Sequence, residues 1–406
     1  MALYQPGSTA ELGEIVVASA AAREPLAISG GGSKRDFGRP VDAAHDLDLR
    51  KLAGIIDYDP SELVLTARAA TPMGEIFGEL RQQNQMLAFE PPDWGALLPS
   101  IGQPTLGGVI ACNLAGSRRV RAGAARDHFL GFEAVNGLGA IWRGGGRVVK
   151  NVTGYDMSKL QAGAFGTLSV LTEITVRVVP RPETSCSVML DGLRDDGAVR
   201  VMADGLNSPH EVSAAAHLPA QIAGRAAIPA IAGSGSSVTL LRLEGHGPSV
   251  GFRADALARA LGATRLLDDA DSRAIWSAIG AVQPLLAGGE RLIWRLCPTP
   301  SLAAIAMAEI AAALPGSESY YDWGGGLLWL SLDPETAGPD AGAGVVRSAL
   351  AKLGGHAGLL RAPEALRRVV PVFDPPDRAL GALTRRVKAS FDPHVILNPG
   401  RFHEGY

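Results

Sequence analysis

Cysteine is scarce in this chain of 406 residues. The three cysteines, Cys112, Cys186 and Cys297, lie far apart, and their spacing matches no pattern that ligates zinc or an iron–sulfur cluster. We therefore expect free, buried thiols in a reducing compartment, and we expect no metal site.

A strong excess of charge is also missing. The formal net charge of −3 at pH 7 gives no reason to expect nucleic acid or an anionic membrane surface as a partner. The first residues hold no basic segment followed by an apolar one, which predicts no signal peptide and a cytoplasmic location. The uncharged stretch 94–117 contains Pro99, Pro104 and Asn113, and these would leave backbone groups unpaired in hydrocarbon. We therefore predict no transmembrane segment.

Glycine is abundant instead, and its most informative cluster is Ser29-Gly30-Gly31-Gly32-Ser33-Lys34, after a predicted strand at 26–28. In a Rossmann fingerprint or a P-loop, the glycine turn opens a helix whose N–H groups meet phosphate. Here Gly38 and Pro40 oppose a helix. The sequence thus argues against both folds. It leaves two interpretations, a phosphate-holding loop between strands or a glycine-rich turn without a ligand.

A second glycine-containing segment runs from Thr105 to Asn113. Its capping hydroxyl, two glycines and small side chains permit a ligand to lie directly on the backbone. A helix that packs tightly against a sheet through its glycines explains the same residues. Both interpretations stay open at this point. Further on, the alternation of apolar and polar residues over 173–178 predicts a half-buried strand, and Pro180 and Pro182 mark a boundary.

Two helix starts can be read from capping residues. Ser8 and Glu11 form a capping-box pair, which predicts a helix to about Arg23. Thr71 is predicted to cap another helix, with Pro72 at its first position. Short helices and strands therefore alternate over the first 180 residues.

Five motifs occur in the order seen in flavoproteins that resemble vanillyl-alcohol oxidase, the PCMH-type FAD-binding superfamily. They are the loop 29–34, the segment 105–113, Asn151-Val152-Thr153-Gly154-Tyr155-Asp156, Phe165-Gly166-Thr167-Leu168, and Phe391-Asp392-Pro393 to Asn398-Pro399-Gly400-Arg401. Over almost the whole chain, the sequence closely resembles the smaller FAD-binding subunits, the E-type, of bacterial glycolate oxidase. This resemblance extends to Trp294-Arg295, Asp322-Trp323-Gly324-Gly325-Gly326 and Gly354-Gly355-His356-Ala357.

The resemblance implies an α+β fold with three parts. Residues 1–182 would form a PCMH-type FAD-binding domain of two α+β subdomains. Residues 183–370 would form an α+β substrate or cap domain with an antiparallel sheet. Residues 371–406 would return to the flavin site.

The resemblance also implies FAD as the cofactor. We expect it to be bound non-covalently, because no histidine lies in the 29–34 loop, where some relatives tether flavin. The N–H groups of Gly30 to Lys34 would form an anion-binding nest, to which Lys34 adds charge. Phe165 and Ser169 depart from the acidic residue and glycine of many relatives. The expected FAD contacts are Ser29, Gly30, Gly31, Gly32, Ser33, Lys34, Pro92, Thr105, Leu106, Gly107, Gly108, Ala111, Asn113, Gly154, Tyr155, Asp156, Gly166, Thr167, Leu168, Val170 and Asn398.

Oxidation of a 2-hydroxy acid requires a cation for the carboxylate, a base for the hydroxyl proton and a hydride acceptor. Arg295 and His356 have the right residue types and are the catalytic candidates. Arg295 lies in an apolar, strand-like run, which is also typical of a structural ion pair or a snorkelling arginine. His356 follows two glycines, which is also typical of a turn or capping histidine. The His-x-Gly-Asp-Gly-Asn stretch of related catalytic subunits is missing.

Three functions remain open. The chain is expected to be the FAD-binding subunit of a multi-subunit glycolate oxidase or dehydrogenase, with a larger FAD-containing catalytic subunit and an iron–sulfur subunit as partners. It would then oxidise a small 2-hydroxy acid, glycolate, to glyoxylate in the cytoplasm, or at the inner membrane through the complex. The alternatives are a self-sufficient FAD-dependent 2-hydroxy acid oxidase that uses Arg295 and His356, and a structural subunit that has lost the flavin.

Overall fold

Helices and β-sheets are mixed along the chain, which confirms the predicted α+β class. The computed structural model describes residues 1–147, 154–263, 265–287 and 289–405. The Asn151-Val152-Thr153 part of the third motif lies outside the described residues. The strands are β1 (Leu3–Tyr4), β2 (Leu26–Ser29), β3 (His45–Asp48), β4 (Ile55–Asp59), β5 (Val64–Arg68), β6 (Gln85–Met86), β7 (Phe129–Asn136), β8 (Ile141–Gly145), β9 (Ser169–Arg177), β10 (Val179–Pro180), β11 (Thr184–Asp191), β12 (Ala214–Leu218), β13 (Val238–Gly245), β14 (Arg265–Leu267), β15 (Leu292–Pro298), β16 (Glu318–Asp322), β17 (Leu327–Leu332) and β18 (Gly355–Arg361).

Helices connect and cover these strands. They are α1 (Thr9–Ala22), α2 (Met73–Gln82), α3 (Leu106–Ala111), α4 (Arg119–Ala122), α5 (Ala125–His128), α6 (Met157–Gln161), α7 (Asp195–Leu206), α8 (Ala220–Ala223), α9 (Pro229–Ala232), α10 (Gly247–Leu261), α11 (Asp269–Gly280), α12 (Gln283–Leu286), α13 (Ala303–Ala313), α14 (Ala343–Leu353), α15 (Glu364–Val369) and α16 (Arg378–Phe391). Short 3-10 turns lie at Pro300–Leu302 and Trp323–Gly325.

One of the two predicted helix starts is confirmed. The Ser8 hydroxyl accepts a hydrogen bond from the Glu11 backbone N–H, and α1 follows directly. The prediction for Thr71 is wrong, because Pro72 occupies the cap position of α2 without a side-chain hydrogen bond. The Thr71 hydroxyl instead donates to the carbonyls of Arg68 and Gly54. It joins two turns and does not cap the helix.

The first 180 residues form small sheets. Parallel β1, β3 and β2 lie side by side in that order, and β2 leads into the glycine loop. A second sheet has the antiparallel order β4-β5-β9-β7-β8. No helix follows the loop at 29–34, as Gly38 and Pro40 predict. The phosphate-binding geometry of a Rossmann or P-loop fold is therefore absent from this described part of the chain.

The second half contains the predicted antiparallel sheet. Its strand order is β14-β11-β13-β12-β16-β17-β15-β18, and every pairing within it is antiparallel among the residues described. In β15, Trp294 and Leu296 pack in the core formed with the covering helices, whereas Ile293 packs in a core that also contains Leu106 and Phe165. One face of this sheet therefore packs against the first half of the chain.

The end of the chain lies beside β2. The Leu26 N–H donates to the Ile396 carbonyl at 2.8 Å, and the Asn398 N–H donates to the Leu26 carbonyl at 3.1 Å. This pairing brings Asn398 beside the start of the glycine loop. The domain boundaries at 182/183 and 370/371 stay predictions.

Candidate functional site

A cleft of about 800 Å³ opens where the glycine loop meets residues 100–112 and the C-terminal segment. A narrower cavity of about 90 Å³ adjoins it and shares several lining residues. Of the expected FAD contacts, the two cavities are lined by Ser29, Gly30, Gly31, Gly32, Ser33, Lys34, Thr105, Gly107, Gly108, Ala111, Gly166, Val170 and Asn398. Residues from four separate sequence motifs therefore meet at one site.

The glycines of the first loop allow it to touch the second loop. A Cβ on Gly31 would lie 2.0 Å from the Gln103 carbonyl oxygen, and one on Gly30 would lie 2.6 Å from Thr105 Oγ1. Thr105 in turn caps α3, because its hydroxyl accepts from the Gly108 N–H at 3.3 Å. These two glycines are thus required for the loops to pack, and the packed loops form one wall of the cleft.

Two cations on the cleft have no anionic partner among the residues that the structure describes. Lys34 Nζ contacts Ser33 Oγ at 3.1 Å, and the Arg401 guanidinium donates to the carbonyls of Lys34 and Arg39 at 2.7 and 3.3 Å. Within the described residues neither cation has a carboxylate within 4.0 Å. Burial lowers the pKa of Lys34 and lowers that of Arg401 to about 10. The cleft therefore favours a bound anion, such as a pyrophosphate, that would offset this uncompensated charge.

The neighbouring thiol does not neutralise these cations. Burial raises the pKa of Cys112, which lines the cleft, to about 11. Its thiol therefore stays protonated near neutral pH, although the charges of Lys34 and Arg401 act in the opposite direction. The positive charge of the cleft remains available to a ligand.

Sequence reasoning missed the contribution of α15 to the cleft. Arg367 of this helix is 3% exposed and donates to Asp36 Oδ1 at 2.6 Å and to the Gly38 carbonyl at 2.9 Å. Arg367 and Arg368 also line the cavity. No motif marks this contact, because it joins positions more than 300 residues apart.

Asn398 connects two walls of the site. Its Oδ1 accepts from the Ile28 N–H at 2.8 Å, and its Nδ2 donates to the Phe165 carbonyl at 2.8 Å. The side chain thus holds the end of β2 against the turn at 165–166. Its expected contact with the flavin ring stays a prediction.

Other expected FAD contacts lie away from the two cavities. They are Pro92, Leu106, Asn113, Gly154, Tyr155, Asp156, Thr167 and Leu168. Tyr155 is 93% exposed, and the Asp156 carboxylate caps α6 through the Lys159 N–H. The Asn113 side chain accepts from the Arg126 N–H at 3.0 Å. The structure does not bring these side chains into the cleft, and their contact with FAD stays a prediction.

The catalytic candidates lie on the antiparallel sheet and not in the cleft. The Arg295 guanidinium carbon is 5.1 Å from the Trp323 ring centroid. The suggested structural ion pair of Arg295 is absent, since no carboxylate among the described residues lies within 4.0 Å of it. His356 lies directly opposite Cys297 on the neighbouring strand. Their catalytic roles stay predictions.

His356 and Cys297 affect each other's protonation. Hydrogen bonding to the Cys297 thiol raises the pKa of His356. Burial alone would raise the pKa of Cys297, but the charge of Arg295 and the hydrogen bond with His356 outweigh it and lower that pKa. The strand pairing thus creates a polarised thiol–imidazole pair close to Arg295.

Buried ion pairs join the sheet to the cleft-bearing half. Arg242 is 3% exposed, and its guanidinium donates to both carboxylate oxygens of Glu90 at 3.2 and 2.7 Å. The Glu244 carboxylate lies 3.4 Å from Arg242 and 3.5 Å from Arg118. Removal of one member would leave a buried charge uncompensated, so the network fixes the two halves against each other.

Asp322 is a further buried acid at this junction. It is 1% exposed and accepts from Ser117 Oγ and from the Trp323 N–H, each at 2.7 Å. Burial nevertheless raises the pKa of Asp322 to about 6. Its ionised form is therefore a cost to the folded state at neutral pH.

Comparisons with known proteins agree with this geometry. Residues 1–145 match the family model of an FAD binding domain. The whole fold is similar to that of p-cresol methylhydroxylase, with a TM-score of 0.72, 15% identity, and coverage of 99% of this chain and 88% of that chain. The predicted PCMH-type fold is thereby confirmed. The fold and the matched domain define an FAD-binding protein of the PCMH-type fold.

The curated relatives narrow this class. Glycolate oxidase subunit GlcE of Escherichia coli K12 is 34% identical over 381 residues, which cover 94% of this chain and 93% of the relative. The chain belongs to the family of this glycolate oxidase subunit. Glycolate oxidase subunit GlcD of Bacillus subtilis is 29% identical over 204 residues, which cover 50% of this chain and 42% of that protein.

The cofactor of this family is FAD, as the resemblance implies, and the observed residues fit it. Lys34 and Arg401, which have no carboxylate partner in the described part of the chain, match the charge of a pyrophosphate, and the packed glycine loops provide backbone at the cleft wall. The described residues include no helix that is both long and apolar enough to cross a membrane. They also include no cluster of three or more His, Cys, Asp or Glu side chains arranged to hold a metal ion.

Proposed function

We propose that this chain is the FAD-binding subunit of a multi-subunit glycolate oxidase or dehydrogenase that oxidises glycolate to glyoxylate. The observation that carries the proposal is the 34% identity to GlcE over 94% of this chain and 93% of that subunit. The partial similarity to GlcD, which bears a different subunit name, supports a larger flavoprotein subunit as a partner. The complex would work in the cytoplasm or at the inner membrane.

The cleft residues are proposed to bind FAD without a covalent link. Lys34 and Arg401 would offset the charge of the pyrophosphate, and the loop 29–34 would hold it through backbone N–H groups. Asn398 would keep β2 and the 165–166 turn in place around it. When bound, FAD supplies the hydride acceptor for oxidation of the substrate C–H bond.

Electrons are proposed to leave the chain through its partners. The spacing of Cys112, Cys186 and Cys297 is not that of iron–sulfur ligands. Onward transfer therefore falls to the iron–sulfur subunit of the proposed complex. A partner with such a cluster would have to dock close enough to the FAD site for electron transfer.

The second candidate is a self-sufficient 2-hydroxy acid oxidase. It is favoured by Arg295, which has no ion-pair partner among the described residues, and by its neighbour His356. The two candidates differ in whether the chain alone oxidises glycolate. A structural subunit without flavin would differ from both in its FAD content.

The deciding experiment compares the purified chain with the complex co-purified from native lysate. The proposal predicts one FAD per copy of this chain and glycolate-dependent bleaching of flavin absorbance only in the complex. Lys34→Met should lower the FAD content, whereas the exposed Lys51→Met serves as a charge-matched control. Turnover by the chain alone would favour the self-sufficient oxidase, and a colourless chain that still assembles would favour the structural subunit.

A further inference from the structure

Two arginines from the two halves of the chain lie against the same tryptophan. The guanidinium carbon of Arg119, on α4, is 4.7 Å from the Trp323 ring centroid, and that of Arg295, on β15, is 5.1 Å away. The Trp323 indole N–H donates to the Gly116 carbonyl at 3.0 Å. The ring is thus fixed beside the short segment that leads from the cleft residue Cys112 to Arg119.

Neither guanidinium has an anionic partner among the described residues. In the described parts of the chain, no carboxylate lies within 4.0 Å of Arg119 or Arg295, and neither side chain donates a hydrogen bond. Both residues are half-buried, and none of their side-chain nitrogens is among the fully buried, unpartnered atoms. Ten N–H donors in two planar forks are therefore open to a ligand.

The two cations also repel each other. Burial, and then the charge of Arg295, lower the pKa of Arg119. Contact with the face of Trp323 attracts both cations, but the ring carries no net charge and leaves their repulsion in place. An anion that contacts both guanidinium groups would remove it.

The same sheet face carries the thiol–imidazole pair. Cys297 is two residues beyond Arg295 on β15, so both side chains point to one face of the sheet. His356 is directly opposite Cys297 on β18 and shares that face. Since the pKa of His356 is raised, a third positive group stands beside the two arginines in mildly acidic solution.

We propose that Arg119 and Arg295 together bind the carboxylate of a small 2-hydroxy acid. The inference rests on the proposed function, for which it names the substrate-binding residues. Arginine suits this role because its planar fork matches the two oxygens of a carboxylate. Arg119, which no sequence motif marked, is thereby assigned to substrate binding together with Arg295.

The test measures carboxylate binding separately from oxidation. The probe is oxalate, a small carboxylate with no C–H bond to oxidise, titrated by calorimetry into the FAD-loaded chain and into the complex. Arg119→Gln and Arg295→Gln should each weaken oxalate binding about ten- to a hundredfold, as expected for loss of charge-assisted hydrogen bonds. Arg121→Gln, an exposed arginine on the same helix, should bind oxalate as the wild type does.

Kinetics in the complex provide a second readout. Arg119→Gln should raise KM for glycolate more than it lowers kcat, because the carboxylate contact exists in the ground state as well. Its FAD content should equal that of the wild type, since Arg119 does not line the cleft. If Arg119→Gln does not fold, Arg119→Lys keeps the charge and is expected to bind oxalate more weakly than the wild type because the fork is lost.

The outcomes separate this inference from the proposed function. Oxalate binding that is equal in the wild type, Arg119→Gln and Arg295→Gln would overturn the inference, as would a wild type that oxidises glycolate without binding oxalate. If oxalate binding depends on both arginines but neither the chain nor the complex oxidises glycolate, the carboxylate site stands and the proposed function fails.

Discussion

Removal of the Lys388 amino group is expected to loosen the end of the chain and release FAD. Lys388, on α16, is 3% exposed, and its Nζ donates to Asp392 Oδ2 and the Thr167 carbonyl, each at 2.6 Å, and to the Leu397 carbonyl at 3.0 Å. The Asp392 carboxylate is fully buried and also accepts from the N–H groups of Ile396 and Leu397. One ammonium group thus connects α16, the backbone at Thr167 and the segment that leads to Asn398.

The size of the expected loss of stability follows from the buried Asp392 charge that remains after the substitution. Lys388→Met keeps the length of the side chain but leaves the Asp392 carboxylate without its cation, which costs about 3–5 kcal/mol. That is a large share of the roughly 5–15 kcal/mol of a typical folded domain. The double variant Lys388→Met with Asp392→Asn should recover part of this loss, because it no longer buries an unpaired charge.

The assay combines urea unfolding, followed by tryptophan fluorescence, with FAD retention after gel filtration. Lys388→Met should unfold at a lower urea concentration and lose FAD earlier, because Asn398 follows directly on Leu397. Lys352→Met is the matched control, since Lys352 is 69% exposed and pairs with Glu309 at the surface, where such pairs contribute about 0–1 kcal/mol. Equal urea midpoints and FAD retention in Lys388→Met and the wild type would refute the reasoning.

Three further changes test the cleft and its support. Asn398→Ala removes the hydrogen bonds to the Ile28 N–H and the Phe165 carbonyl and should weaken FAD binding about tenfold, measured by fluorescence titration of the apoprotein. Lys34→Met should weaken FAD binding by a similar factor and reduce its dependence on salt, and an unchanged salt dependence would contradict the charge argument. Burial raises the pKa of Asp322 to about 6 in the folded state, against an ordinary value of 3.8 in the unfolded chain. Between these two pH values the folded state binds more protons than the unfolded state. The free energy of unfolding should therefore fall by about 3 kcal/mol as the pH rises through this range. Asp322→Asn should abolish that fall, which urea midpoints at pH 4 and pH 8 would reveal.

Local features of the fold could be predicted from the sequence. Ser8 and Thr105 cap helices as their positions indicate, because each hydroxyl needs only a backbone N–H three residues further along the chain. The loop at 29–34 runs into turns and not into a helix for an equally local reason, because Gly38 and Pro40 oppose helix formation. The cap prediction for Thr71 was wrong because its hydroxyl donates to backbone carbonyls instead, including that of Gly54, which lies 17 residues away.

The site was only partly predictable because it depends on distant contacts. The last of the five motifs indicated Asn398. Arg401 belongs to the same motif and its guanidinium reaches the Lys34 carbonyl, but it was not among the predicted FAD contacts. Arg119 and Arg295 meet because the sheet packs against the first half of the chain through a shared apolar core and a buried ion-pair network. No spacing rule in the sequence brings residues 119 and 295 together, so their shared contact with Trp323 required the structure.

The structure bears on both interpretations of the glycine loop at 29–34, which were a phosphate-holding loop and a glycine-rich turn without a ligand. Gly30 and Gly31 are required because the loop packs on Gln103 and Thr105, at distances that leave no room for a Cβ. That packing would be necessary even without a ligand. In the proposed FAD site, affinity for an anion would come from the backbone N–H groups of the loop and from Lys34 and Arg401, whose charges no carboxylate offsets within the described residues. The glycines therefore shape the wall of the cleft, and we expect the two cations to contribute to its affinity for an anion. Substitution of a glycine should then mainly lower stability, whereas substitution of a cation should mainly lower cofactor affinity.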